Sequence, residues 1–229
     1  MRTILERLAP DDVVLDIGGW WQPLSRADWV MDLMPYATRA PFGRHGPAEE
    51  RFTEETWIQR DICDREPYPF ADKEVDFAVC SHTLEDVRDP IRVCDEMVRI
   101  AKAGYIEVPS RLEEQSYGFQ GPWAGWGHHR WLIDVVDDRR IEFVFKHHVL
   151  HARESDHFPA GFQQALAPEQ RVLTLWWDES FEYEERVFTS AEELDPYLAD
   201  FVERNRGLVS IPRPSPARRA LGALRRRLG

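Results

Sequence analysis

The sequence predicts an α/β protein built on an open, doubly wound, mostly parallel sheet, with a stunted first crossover helix and a C-terminal antiparallel and helical extension. Three observations carry this expectation. Apolar, β-branched runs alternate with loop and helix signals over roughly the first 110 residues, as in βαβ units. The run "VVLDIG" is closed by Gly18, and the next run starts at Ala27 after about eight residues that include Pro23, too few for a full crossover helix. After Ser110 the texture shifts to glycine, tryptophan and histidine, and then to alternating runs.

Taken in order, "DVVLDIG" reads as a buried parallel strand and "ADWVMDL" as a second that ends at Asp32. The proline-, glycine- and charge-rich "PYATRAPFGRHGPAEERFTEE" is a loop or irregular helix. "TWIQRDI" and "EVDFAVCS" are third and fourth strands. "PIRVCDEMVRIAKAG" has apolar residues near helical period, started by Pro90 and stopped by Gly104. "YIEVPS" is a fifth strand, halted by Pro109. Beyond it, "RIEFVFKHHVLHA", "RVLTLWWDES" and "FEYEERVF" alternate in the manner of antiparallel strands. "SAEELDPYLADFVERNRG" is a capped helix, with Ser190 at the N-cap and Glu193 three residues on. No internal repeat appears.

A chain of 229 residues with 43% hydrophobic and 12% aromatic content is globular and long enough for one well-buried domain. Its expected layout is a core over 1–110, a substrate-side extension with sheet-completing strands over 111–206, and a basic, proline-rich tail over 207–229. Cys63, Cys80 and Cys94 form neither a disulfide framework nor a CxxC pattern and read as small buried hydrophobes. No apolar run is long enough to span a bilayer and the N-terminus lacks a long apolar signal region, so a cytoplasmic location is expected. Residues 201–229 hold eight arginines and one glutamate, about +7, which leaves about −19 on residues 1–200 from the net −12. A body that acidic repels nucleic-acid phosphates and excludes a general DNA or RNA binder. In the tail, Leu221, Leu224 and Leu228 face away from arginines, a pattern for a short helix on an anionic membrane surface or for a solvated tail.

Open α/β sheets bind ligands beyond the carboxyl ends of their strands, which nominates Asp16 to Gly19, Asp32, Asp61 and Ser81. An acid ending the second strand suits a vicinal diol, since one carboxylate can accept from both ribose hydroxyls. A dinucleotide turn would read G-x-G-x-x-G and feed a helix N-terminus; here the turn is "GGWWQP", and acids end three strands. A phosphate-free nucleoside with a positive charge fits better, and S-adenosyl-L-methionine is that molecule. Trp20 and Trp21 would then either wall the sulfonium end of the pocket or plug it.

From Val13 to Ser110 the chain resembles a class I S-adenosylmethionine-dependent methyltransferase of the type-11 group, with its Rossmann-like fold. "VVLDIG" resembles the family's first motif, "WVMDL" its second, "RDI" with "EPYPFADKEVDFAVCSHTLEDVRDP" its third and fourth, and "EMVRIAKAGYIEVPS" its last. The resemblance implies that Gly18 and Gly19 let the backbone approach the methionine part and that Asp32 binds the ribose diol. It also implies that Asp61 with Ile62 meets the adenine and that Ser81 and His82 border the sulfonium and acceptor mouth. The chain departs from D-x-G-x-G-x-G at Trp20 and Gln22, and from the common L-E-H turn at Asp86.

"GWGHHRW" supplies His128 or His129 as a general base for a hydroxyl or amine acceptor, or is a tryptophan-anchored structural loop. His82 is a third candidate base. Clustered histidines (His128, His129, His147, His148, His151 and His157) raise a metal site as an alternative, with His147 and His151 on one face if 147–151 is a strand. No strict ligand spacing is present, so no metal site is expected. The expected function is methyl transfer to a small-molecule or saccharide acceptor. The alternatives are a non-catalytic binding or scaffold protein that keeps the fold and, more remotely, a metal-dependent hydrolase.

Overall fold

The computed structural model describes residues 2–39, 43 and 45–210. The strands are β1 (Val14–Ile17), β2 (Trp29–Asp32), β3 (Trp57–Gln59), β4 (Val75–Ser81), β5 (Ala101–Pro109), β6 (Trp131–Val136), β7 (Arg140–Phe145), β8 (Val172–Asp178) and β9 (Glu182–Glu185). The helices are α1 (Arg2–Arg7), α2 (Pro90–Ile100), α3 (Arg111–Glu114), α4 (Val149–Ala152), α5 (Phe162–Ala165), α6 (Pro168–Arg171) and α7 (Ala191–Asn205). The main sheet has the order β3-β2-β1-β4-β5-β8, parallel except for β8, which runs antiparallel to β5. This is the expected doubly wound, mostly parallel sheet.

β1 lies at the centre and is buried at all four positions, which is why it reads as an unbroken apolar run with one acid in it. Leu15 and Ile17 face the larger apolar core with Val93, Cys94, Met97 and Ile100 of α2. Val14, with Val30 and Val79, faces a smaller core that contains Ile4 of α1. Each of these buried side chains contributes about 1.5–3 kcal/mol. α2 starts where Asp89 accepts a hydrogen bond from the Arg92 amide at 3.0 Å, with Pro90 in its first turn. Its end differs from expectation: it stops at Ile100, and Gly104 lies inside β5. A Cβ at Gly104 would come within 2.5 Å of the Trp177 ring, so that glycine seats β8 across β5.

No helix forms between β1 and β2, as the short interval and Pro23 require. The chain instead turns at Gly18 and holds residues 23–25 against His45 by backbone hydrogen bonds of 2.7 and 2.9 Å. The connection from β3 to β4 therefore crosses to the other side of β1, and the carboxyl ends of β1 and β4 flank the switch point.

Three expectations beyond Ser110 are corrected. Trp131–Val136, not anticipated as a strand, pairs antiparallel with β7 through a turn whose Asp137 and Asp138 have φ of 58° and 55°. The run through 147–152 is not a continuation of β7: the strand ends at Phe145 and α4 follows, so His147 and His151 do not share a strand face. β9 pairs with β7 in parallel, not antiparallel. Ser190 is the N-cap of α7 but its side chain makes no cap; Glu193 instead accepts from the Thr189 amide at 3.3 Å. All three cysteines are free and buried, as expected. Among the described residues no helix is long and apolar enough to cross a membrane. The proposed amphipathic segment at 221–228 lies outside the described residues.

Candidate functional site

The turn after β1 is built from within. Gly18 has a φ of 81°, and a Cβ there would sit 2.1 Å from Thr83 Oγ1. A Cβ on Gly19 would sit 2.5 Å from Asp16 Oδ2. Both glycines are therefore demanded by the close approach of the β4 turn on one side and the Asp16 carboxylate on the other. Asp16 is buried and its Oδ2 accepts from the Leu24 amide at 2.7 Å. Burial, opposed by that hydrogen bond and reinforced by the nearby Asp32 charge, pushes its carboxyl up to about 7.

Asp32, at the end of β2, accepts from the Trp20 amide at 3.0 Å through Oδ2 and from the Met34 amide at 2.8 Å through Oδ1. With a further amide interaction from Leu33, part of the carboxylate's acceptor capacity remains for another donor. Burial holds its carboxyl above the ordinary range despite these amides. The Trp20 indole donates to Thr38 Oγ1 at 3.1 Å and packs against the smaller core. Trp21 meets it edge-on at 6.0 Å between ring centroids and is 54% exposed.

Asp61 lies just beyond β3. Its Oδ1 accepts from the Cys63 amide at 2.8 Å and its Oδ2 pairs with Arg88, which together outweigh a desolvation penalty and hold the carboxyl below its usual range. Ile62 is buried, and its carbonyl accepts from the Tyr68 hydroxyl at 2.8 Å.

At the end of β4, Ser81 Oγ donates to Glu107 Oε1 at 3.2 Å. His82 follows in a left-handed conformation, φ 50°, half exposed between two carboxylates: Nδ1 is 3.6 Å from Glu85 Oε1 and Nε2 is 3.4 Å from Glu107 Oε1. Burial works against its charge, but the two acids win and push the imidazole up to about 10. Glu107 correspondingly falls to about 2: partial burial opposes ionisation, and His82 and the Tyr105 hydroxyl overcome it. At neutral pH His82 is thus a cation, which suits holding an anion or a carbonyl better than taking a proton. Glu85 is almost fully buried, and its Oε2 has no hydrogen-bond partner.

The histidine loop docks on the same post-β4 segment. The Arg130 amide donates to the Glu85 carbonyl at 2.7 Å and the Trp131 indole to the Val87 carbonyl at 2.8 Å. The His129 side chain is 7% exposed, with Nδ1 2.7 Å from Glu114 Oε1. Lys146 Nζ donates to Glu114 Oε2 at 2.6 Å and to the Trp126 carbonyl at 2.8 Å. Desolvation raises the Glu114 carboxyl, but His129 and Lys146 more than compensate and it ends below its usual range. His128 and His129 each place Nε2 4.0 Å from Asp86 Oδ1. The other histidines are spread through the extension. The His147 and His148 rings pack at a tilt of 35°, His151 Nδ1 accepts from the Ala124 amide at 3.1 Å, and His157 stacks on Tyr117.

The structure thus gathers two groups around the switch point: Asp16, Gly18, Gly19 and Asp32 with Thr83, and Ser81 and His82 with Glu85 and Glu107. His128 and His129 reach the post-β4 segment from a different element, at Asp86 rather than at His82. Sequence reasoning missed Thr83, Arg88, Glu107, Glu114 and Lys146. Only Glu107, in the strand "YIEVP", carried a signal, being an acid inside a buried parallel strand next to β4.

A family model described as a methyltransferase domain matches residues 32–106, about a third of the chain. The match bears out the family resemblance over that segment and implies S-adenosylmethionine as its cofactor; it begins at Asp32, after the glycine turn. No curated protein matches significantly. Among solved structures, the chain is similar to a chain of the Haloferax volcanii complex that contains the Trm112 methyltransferase activator, at 19% identity and a TM-score of 0.34, covering 51% of this chain and 52% of that one. It is also similar to S-adenosylmethionine-dependent methyltransferases of Mesorhizobium loti (14% identity, TM-score 0.34, covering 63% of each chain) and Methanosarcina mazei (17% identity, TM-score 0.36, covering 59% of this chain and 86% of that one). The first of these is matched over only about half its length, and TM-scores this low add nothing to the reading of the site.

Proposed function

We propose that this chain, whose 32–106 segment is of the methyltransferase-domain family, is an enzyme that transfers a methyl group from S-adenosylmethionine to a small-molecule or saccharide hydroxyl or amine. The observation that carries this is the meeting of an acid-floored glycine turn with the post-β4 turn at the switch point. When bound, the cofactor supplies an electrophilic methyl on a sulfonium. The residues fit it: Asp16, Asp32, Glu85 and Glu107 put four carboxyl groups around the turn against the single His82 cation, a balance that favours a second cation. Asp32 retains acceptor capacity for a ribose diol. The Trp20 indole is hydrogen-bonded to Thr38, and Trp21 packs edge-on against Trp20 while 54% exposed, which supports a wall rather than a plug.

On this reading the protein contributes mainly proximity and alignment, worth several orders of magnitude in rate. His82, held as a cation by Glu85 and Glu107, places a fixed positive charge that attracts an acceptor oxygen toward the post-β4 turn. A deprotonation step for a hydroxyl acceptor falls to the His128–His129 side, where His129 is backed by Glu114. The acidic mouth disfavours polyphosphorylated acceptors.

Isothermal calorimetry with S-adenosylhomocysteine tests the reading. Binding in the micromolar range that is lost by tenfold or more in Asp32→Ala is expected. No heat at millimolar ligand would overturn it and favour a fold retained for binding something else, for which Arg88 closing off Asp61 is the one supporting contact.

A further inference from the structure

Two imidazoles and a carboxylate that are distant in sequence converge beside the post-β4 segment. Asp86 Oδ1 lies 4.0 Å from Nε2 of both His128 and His129, and the three ligand-type atoms are all within 4.8 Å of one another. We infer that Asp86, His128 and His129 form a site for a divalent transition-metal ion of the zinc type, with coordination positions left open to solvent.

Ligand atoms bound to one zinc at about 2.0–2.2 Å stand roughly 3–3.5 Å apart. Closing from 4.0 Å, and from at most 4.8 Å between the two imidazoles, takes shifts of about 0.5–2 Å, and the two ligands that move are the more exposed ones: the Asp86 and His128 side chains are 42% and 60% exposed. His129 is the fixed one. Its side chain is 7% exposed, and its Nδ1 is engaged by Glu114 Oε1 at 2.7 Å. A proton on Nδ1 is what that carboxylate requires, so the lone pair stays on Nε2, the atom that faces Asp86. A carboxylate that fixes the tautomer and orientation of a histidine from behind is the usual support of a metal ligand. Here the support is itself anchored, since the other oxygen of Glu114 binds Lys146, which also holds the Trp126 carbonyl. The Trp126 ring lies 5.8 Å from His129 and 6.0 Å from His128, restricting both imidazoles.

The donor set selects the ion. Two imidazole nitrogens and one carboxylate oxygen suit first-row transition ions such as zinc, cobalt or ferrous iron, whereas magnesium and calcium want oxygen ligands. Three protein ligands leave at least one position for water or an acceptor oxygen. The consequence for chemistry rests on the methyl-transfer reading; the site itself does not. An acceptor hydroxyl on the metal would lose its proton to solvent near neutral pH, and its oxygen would form the new bond to the methyl carbon as the carbon–sulfur bond breaks and the sulfonium becomes a neutral thioether. The two histidines would then serve as ligands in place of a free base.

The test uses the full chain without an affinity tag, treated with chelator, dialysed, and titrated with cobalt and then zinc. One equivalent should bind with a micromolar or lower dissociation constant, with visible d–d bands for cobalt. Asp86→Ala and His128→Ala, both changes at exposed side chains, should each weaken binding at least tenfold while circular dichroism stays unchanged, and His147→Ala should not affect it. Absence of stoichiometric uptake, or uptake equal in Asp86→Ala, His128→Ala and the unmodified chain, overturns the proposal. Calorimetry with S-adenosylhomocysteine on the metal-free protein keeps this outcome separate from the cofactor reading, because either result can fail without the other.

Discussion

His82 Nε2 lies 3.4 Å from Glu107 Oε1 at the carboxyl ends of adjacent parallel strands, while its Nδ1 faces Glu85 Oε1 at 3.6 Å. Both ring nitrogens thus point at acids, a geometry that only the imidazolium satisfies with two donors.

The first prediction is the titration of this group. The folded-state value of about 10 is raised from 6.5, so the stabilisation it gives is complete below about pH 6.5 and is lost as pH rises through about 10. The partner is depressed from 4.5 to about 2, so the same interaction is lost on the acid side as pH falls through that range. Proton NMR of the His82 ring should show no titration below pH 9. In Glu107→Gln the midpoint should fall, while Glu85 keeps it above that of a solvated histidine. A midpoint near 6.5 in the unmodified protein would reject the ion pair.

The glycine turn gives the second prediction. Gly18→Ala combines a φ of 81° with a Cβ that would lie 2.1 Å from Thr83 Oγ1 and 2.7 Å from its Cβ. Strain and overpacking together should cost about 2–4 kcal/mol in urea denaturation. Adding Thr83→Ala removes the hydroxyl and methyl but leaves the Cβ and the backbone strain, so it should restore only part of the loss. Full recovery in the double variant would show that the backbone conformation carries no cost of its own.

β1, β2 and β4 were legible because each is a short, largely apolar run buried on both faces. A shortened first crossover helix was legible too, from spacing and Pro23, though not that no helix forms there at all. Asp16 and Asp32 were legible as strand-end acids, but not that amides of Leu24, Trp20 and Met34 already occupy part of each carboxylate. Local periodicity also could not separate α4 from a strand over 147–152, since "HHVLHA" has no decisive period. Nor does it show that Glu114 meets His129 and Lys146, which lie 15 and 32 residues away and join it only when β7 and the histidine loop pack over α3.

That buried triad carries the third prediction. Lys146 Nζ is 2.6 Å from Glu114 Oε2, and the two side chains are 2% and 1% exposed. Lys146→Met keeps the aliphatic volume but leaves a dry carboxylate whose remaining side-chain partner is the His129 Nδ1. Breaking a buried pair from one side should cost about 3–5 kcal/mol in urea denaturation at pH 7. In the intact protein the Glu114 carboxyl is held below its ordinary range, so its contribution is present above that range and lost only as pH falls below it. In the variant, burial is no longer fully offset and the carboxyl moves up. Its proton then returns at a higher pH than in the unmodified protein, and the deficit relative to that protein should shrink as pH falls. Glu114→Gln added to Lys146→Met removes the charge itself and should recover much of the loss at pH 7. A deficit under about 1 kcal/mol at pH 7, or one independent of pH, would mean that Glu114 is not held as an anion by this pair.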